Sequence, residues 1–149
     1  SKRRVEVMEI IRTLKVPRQF IFDKLLESGL YDIKKNTGKH PKISSLSGFE
    51  YKKKFGAKQN QAGKIKIDEV TEPSVYAFTT KTIRNTFTTR WELHKIDDAT
   101  TEVVISEKLE SHGFFQNLND MMMQIGMGWI KKRQMKAILN NISAAYNGK

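Results

Sequence analysis

The chain has 149 residues, no cysteine and a formal net charge of +11 at pH 7. Disulfides and thiolate metal sites are excluded, and the length suits one domain able to bury about two-thirds of its unfolded surface. The charge is uneven: residues 1–66 hold 17 Lys/Arg against 6 Asp/Glu, whereas residues 67–149 hold 10 of each. Such an excess favours anionic partners through a long-range field and says nothing of fold. Ser1-Lys2-Arg3-Arg4 leads into Val5-Glu6-Val7-Met8-Glu9 rather than an unbroken apolar run. No secretory signal is expected, and a soluble cytoplasmic protein is the default reading.

Val5 to Val16 is rich in β-branched and apolar residues with charges interleaved, which predicts a first strand. Pro17 ends it and suits the first position of a helix. Phe20, Ile21, Phe22, Leu25 and Leu26 follow a helical pattern that Ser28-Gly29 closes, and Leu30 to Ile33 makes a second short helical turn. Lys34 to Ser47, polar and containing Gly38 and Pro41, reads as loop.

From Gly48 to Leu109 the apolar period becomes two. Phe49, Tyr51, Lys53 and Phe55 alternate with Glu50, Lys52 and Lys54, and after a loop at 56–63 the residues Ile65, Ile67 and Glu69 share the next inner face. Thr71-Glu72-Pro73-Ser74 is a turn. Val75 to Thr80 resumes a strand, and Phe87, Thr89, Trp91 and Leu93 define another after a turn near 81–85. Asp97-Asp98-Ala99-Thr100 turns the chain into a last strand with Val103, Ile105, Glu107 and Leu109 on one face.

Ser111 to Tyr146 reads as one long amphipathic helical segment with Ser111 as its N-cap. Phe114, Leu118, Met121, Met122, Ile125 and Trp129 recur at helical steps on one stripe. Beyond Trp129 the apolar stripe passes to Met135, Leu139, Ile142 and Tyr146, turned by about 90–110° at 100° per residue. Gly126 and Gly128 precede the change, which predicts a bend or break near 126–133. The methionines at 121, 122, 123 and 127 suit a core or the wall of an adaptable pocket. The ten residues from Met121 to Ile130 fall far short of the roughly 20 that span a bilayer.

One apolar face per strand, about six strands and one long helix predict an α+β fold in which a curved antiparallel sheet wraps the C-terminal helix, with two short helices after the first strand. Arg12-Thr13-Leu14-Lys15-Val16-Pro17, Ser28-Gly29-Leu30-Tyr31-Asp32-Ile33, Gly48-Phe49-Glu50-Tyr51-Lys52-Lys53-Lys54-Phe55 and Ser106-Glu107-Lys108-Leu109 carry a resemblance. On them the chain resembles a START-like (polyketide-cyclase-like, SRPBCC) domain with the helix-grip fold, and within that superfamily an uncharacterised bacterial family. The resemblance spans nearly the whole length. It implies a cavity between sheet and helix that holds a hydrophobic ligand.

Glu107 shares its face with Val103, Ile105 and Leu109, and an isolated buried carboxylate is costly unless paired, protonated or hydrated. Lys53 and Arg12 are the candidate partners, and a solvent-exposed Glu107 at a bulge or strand end is the alternative. The residues expected around a cavity are Arg12, Tyr51, Lys53, Thr89, Trp91, Glu107, Met122, Ile125 and Trp129. His40, His94 and His112 lack ligand spacing, Asp97-Asp98 suits a turn, and no nucleotide-loop or nucleophile-elbow motif occurs, so neither metal nor cofactor is expected. Lys52, Lys53 and Lys54 among Phe49, Tyr51 and Phe55 resemble single-strand-binding sheets, but alternation sends the rings inward, which disfavours nucleic acid. The expectation is a non-enzymatic module for an apolar small molecule. The alternatives are an enzyme using the same cavity, with Glu107 as acid/base, and a basic nucleic-acid-binding surface.

Overall fold

The computed structural model of the chain describes residues 3–55, 59, 61–83, 85–112 and 118–148, with side chains at 5–55, 59, 61–83, 85–111 and 132–148. The chain runs as strand β1 (Arg3–Leu14), helix α1 (Arg18–Thr37), a 3-10 turn at Ile43–Ser45, strands β2 (Glu50–Phe55), β3 (Gln61–Thr71), β4 (Val75–Thr82), β5 (Asn85–Asp97) and β6 (Thr100–His112), and helix α2 (Leu118–Asn147). The six strands form one curved antiparallel sheet in the order β1-β6-β5-β4-β3-β2. Consecutive strands from β2 to β6 are neighbours, so short turns suffice. Helix α1 is the long excursion that carries the chain from one edge of the sheet to the other.

Alternation places the core. On β1 the inward side chains are Met8, Ile10, Arg12 and Leu14, while Val5, Val7 and Ile11 stand outward and exposed. Tyr51 on β2, Ile65 and Ile67 on β3, Tyr76 on β4, Trp91 and Leu93 on β5, and Val103 and Ile105 on β6 complete the inner face. Against it pack Ile21, Phe22, Leu26 and Ile33 of α1 and Met135, Leu139 and Ile142 of α2. Tyr146 meets Phe20 edge-on at 5.1 Å and ties the two helices together. No described helix is long and apolar enough to cross a membrane.

Four expectations are corrected. The two short helices are one helix of 20 residues. Ser28-Gly29 reads as a stop, but the C-cap is Gly38 (φ 74°), whose N–H donates to the Lys34 carbonyl at 2.8 Å. Gly29 lies inside the helix for another reason: a Cβ there would overlap the Tyr76 hydroxyl and stand 3.2 Å from its Cζ. Close approach of strand β4 requires glycine, at about 1 kcal/mol of helix propensity.

Glu69 does not share the inner face. The register shifts between Ile67 and Glu69, so Val70 takes the inner place opposite Tyr76 and Glu69 turns outward. There Arg90 Nη1 donates to its carboxylate at 2.9 Å, and this hydrogen bond, with a second from Thr71, holds Glu69 below the usual carboxylate range. Ser111 is not an N-cap. It lies buried in β6, where its hydroxyl donates to Asn85 Oδ1 at 3.1 Å. Helix α2, finally, is continuous from Leu118 to Asn147, which overturns the expected break. Its second stripe is in place, with Met135, Leu139 and Ile142 buried and Lys132 and Lys136 exposed. The first stripe (Phe114, Leu118, Met121, Met122, Ile125, Trp129) lies outside the described side chains.

Candidate functional site

A carboxylate on α1 is the centre of the site. Leu25, Ser28, Gly29 and Asp32 recur at three- and four-residue steps, so one side of the helix presents two small residues and then an acid to the sheet. Facing it, β2 presents Tyr51, Lys53 and Phe55 by alternation, with Lys52 and Lys54 exposed on the other side. The Tyr51 hydroxyl donates to Asp32 Oδ2, and Lys53 Nζ donates to Asp32 Oδ1 at 2.8 Å. Lys53 Nζ also stands 5.5 Å from the centre of the Phe55 ring. Both oxygens of Asp32 are thus occupied by donors from one strand.

The phenols respond to this arrangement. Burial first, then the hydrogen bond to Asp32 and its negative charge, push Tyr51 well above the ordinary tyrosine range. Tyr76, buried beside them, is pushed up to about 12, mainly by burial and further by Asp32. Both are neutral hydroxyls at physiological pH. The Lys53–Asp32 pair is neither sealed nor solvent-bathed, the two side chains retaining 29% and 24% of their exposure.

Around this cluster lies a cavity of about 460 Å³ between α1, the inner face of β2–β5 and the C-terminal half of α2. Ile65, Ile67, Phe78 and Trp91 form its floor, Met135 and Ile142 its far wall, and Tyr51, Lys53 and Asp32 its polar corner. Tyr31 and Ile138, 67% and 42% exposed, stand at its open side. Lys24, also on the wall, pairs with Glu27 at 3.2 Å. Apolar walls with a few convergent polar groups are the usual make-up of a small-molecule pocket.

Of the residues expected around a cavity, Tyr51, Lys53 and Trp91 line this one. Thr89 and Glu107 face each other across β5 and β6 on the inner face, and Thr89 Oγ1 donates to Glu107 Oε2 at 3.0 Å. Both are buried, but neither lines the cavity as the described residues outline it. Arg12 is half-buried on β1 and also stands off the wall. Met122, Ile125 and Trp129 lie outside the described side chains.

The expected pairing of Glu107 with Lys53 is corrected as well. Lys53 gives its ammonium to Asp32, and its strand lies at the far edge of the sheet from β1 and β6. Opposite Glu107 on β1 stands Met8, while Arg12 faces Val103, four residues further along. At about 3.3 Å per residue that is roughly 13 Å. Glu107 is inside, as alternation requires, and is met by a hydroxyl.

Asp32 is the residue that sequence reasoning missed. It stands in a stretch read as a second short helical turn and noted for its resemblance, with no role given to its carboxylate. The available signal was the helical spacing 25–28–29–32, legible once α1 is read as continuous through Gly29.

A family model described as a domain of unknown function, DUF3284, matches residues 8–128. Comparison with curated protein sequences finds no match. Among solved structures the chain is similar to Ara h 8.0201, with a TM-score of 0.63 at 16% identity, covering 98% of this chain and 100% of that one. It is similar to a protein of unknown function, SA2116 from Staphylococcus aureus, with a TM-score of 0.63 at 8% identity and 99% of both chains covered. The ZhuI aromatase/cyclase from a Streptomyces species gives 0.57 at 11% identity, over 97% of this chain and 94% of that one. At such identities the likeness is one of fold, and that fold is the helix-grip.

Proposed function

The chain belongs to the DUF3284 family of domains of unknown function, and we propose that it is a non-enzymatic binding module whose cavity takes an apolar small molecule. The observation that carries this reading is the 460 Å³ cavity, roofed by helices and walled by Ile65, Ile67, Phe78, Trp91 and Ile142. Filling it with a ligand removes that apolar surface from water, at about 25 cal/mol per Å². The polar corner supports binding over turnover. Asp32 is engaged by three donors, Tyr51, Lys53 and Asn36, and Tyr51 and Tyr76 are held as neutral phenols by burial. Such groups orient a ligand, and the two phenols, both raised by burial, stay protonated near neutral pH. The similarity to Ara h 8.0201 and to an aromatase/cyclase supports the fold on which this reading is built.

Incubation with a total lipid extract, followed by native mass spectrometry of the re-purified protein, tests the proposal. A discrete added mass is expected, and it should be lost in Thr80→Phe, which places a ring in the cavity from β4. An unliganded mass after exposure to the extract would contradict the reading.

A further inference from the structure

The chain carries a net charge of +11, yet its cavity does not share that charge. Two lysines line it, and each has a carboxylate partner: Lys53 with Asp32 at 2.8 Å and Lys24 with Glu27 at 3.2 Å. Among the described residues no other cation reaches the wall. The remaining polar groups there are hydroxyls, those of Tyr51 and Tyr76 foremost. Glu107 adds a further carboxyl to the same inner face of the sheet.

From this neutral corner we infer that the cavity selects an uncharged amphiphile, an alcohol, ketone or phenol on an apolar body, over a fatty carboxylate of the same length. The inference rests on the binding reading above and names its ligand class. Lys53 donates once to Asp32 and retains two N–H donors, so a neutral oxygen finds a hydrogen bond without disturbing the pair. A carboxylate gives up far more hydration on entering an apolar site, and an unmatched cation would have to repay it. Here the nearest cation is already neutralised, and Asp32 repels the newcomer at close range. The positive field of the whole chain does not reverse this, because exposed charges act through screened, high-dielectric paths. Asp32 is thus the specificity residue: it sets the sign of the corner.

The test is displacement of Nile red, a neutral dye, by decan-1-ol and by decanoate at about pH 8, where decanoate is ionised. The wild-type protein is expected to favour the alcohol by about tenfold in competing concentration, the equivalent of about 1.4 kcal/mol. Asp32→Asn leaves Lys53 without its counter-charge and should narrow or invert that ratio. Lys53→Met leaves the carboxylate of Asp32 alone and should widen it. The wild-type ratio alone can overturn the inference, whatever the variants' fold: decanoate competing as well as decan-1-ol would do so. Binding of both with decanoate preferred would sink the selectivity and keep the binding module. Failure of Nile red and both competitors to bind would remove the two together.

Discussion

Gly29 and Tyr76 show how closely α1 rides on the sheet at the edge of the cavity. In an exposed helix interior, Gly→Ala adds about 1 kcal/mol of stability. At Gly29 the new methyl would meet the Tyr76 hydroxyl, and Tyr76 is only 5% exposed, with Phe78 packed edge-on against it at 6.1 Å. Gly29→Ala is therefore expected to lower the chemical unfolding midpoint, and Tyr76→Phe in the same chain to recover part of the loss. A midpoint raised by Gly29→Ala alone would mean that helix and strand are not in contact there. Glu107 gives the matching lesson about legibility. Its burial was readable from the alternation Val103, Ile105, Glu107, Leu109, because a strand has only two faces. Its partner was not, because that depends on which strand lies alongside, and Thr89 stands opposite only through the β5–β6 register.

Among the elements, β3 carries the clearest tension. Lys64 is directly opposite Lys52 on β2 and Lys81 on β4, so three ammonium groups form a row across the outer face. Like charges in direct cross-strand pairs are destabilising, by about 0.2–1 kcal/mol, and among the described residues Lys64 is offset by Glu50 at 3.7 Å. Lys81→Glu should raise the thermal midpoint at low ionic strength, and the gain should shrink as salt screens the row. A gain that salt leaves untouched would assign the effect to strand propensity instead. Strands β2, β4, β5 and β6 were legible from period-two patterning, and β1 from its β-branched residues. The bulge at Ile67–Glu69 was not, since one inserted residue leaves no mark on composition while reversing the face of all that follows. Helix α1 was misdivided for a related reason. Ser-Gly is a stop signal locally, and only the approach of β4 explains a glycine in mid-helix.

At the scale of the molecule, the order read as strand, two short helices, about five strands and a long helix was enough to indicate the helix-grip architecture, since a one-faced sheet must bury that face on the long helix. The cavity was less legible. Its apolar floor follows from the strand pattern, but its polar corner needs α1 unbroken, so that Asp32 comes down over Tyr51 and Lys53. The central claim is that an apolar molecule enters this space and meets that corner. It is tested most directly by mapping backbone amide chemical shifts during titration with decan-1-ol. Saturable shifts are expected at Asp32, Tyr51, Tyr76, Trp91 and Ile142, with the outward-facing Lys52, Lys64 and Lys81 unmoved. Shifts confined to the outer face of the sheet, or none at saturating alcohol, would contradict it.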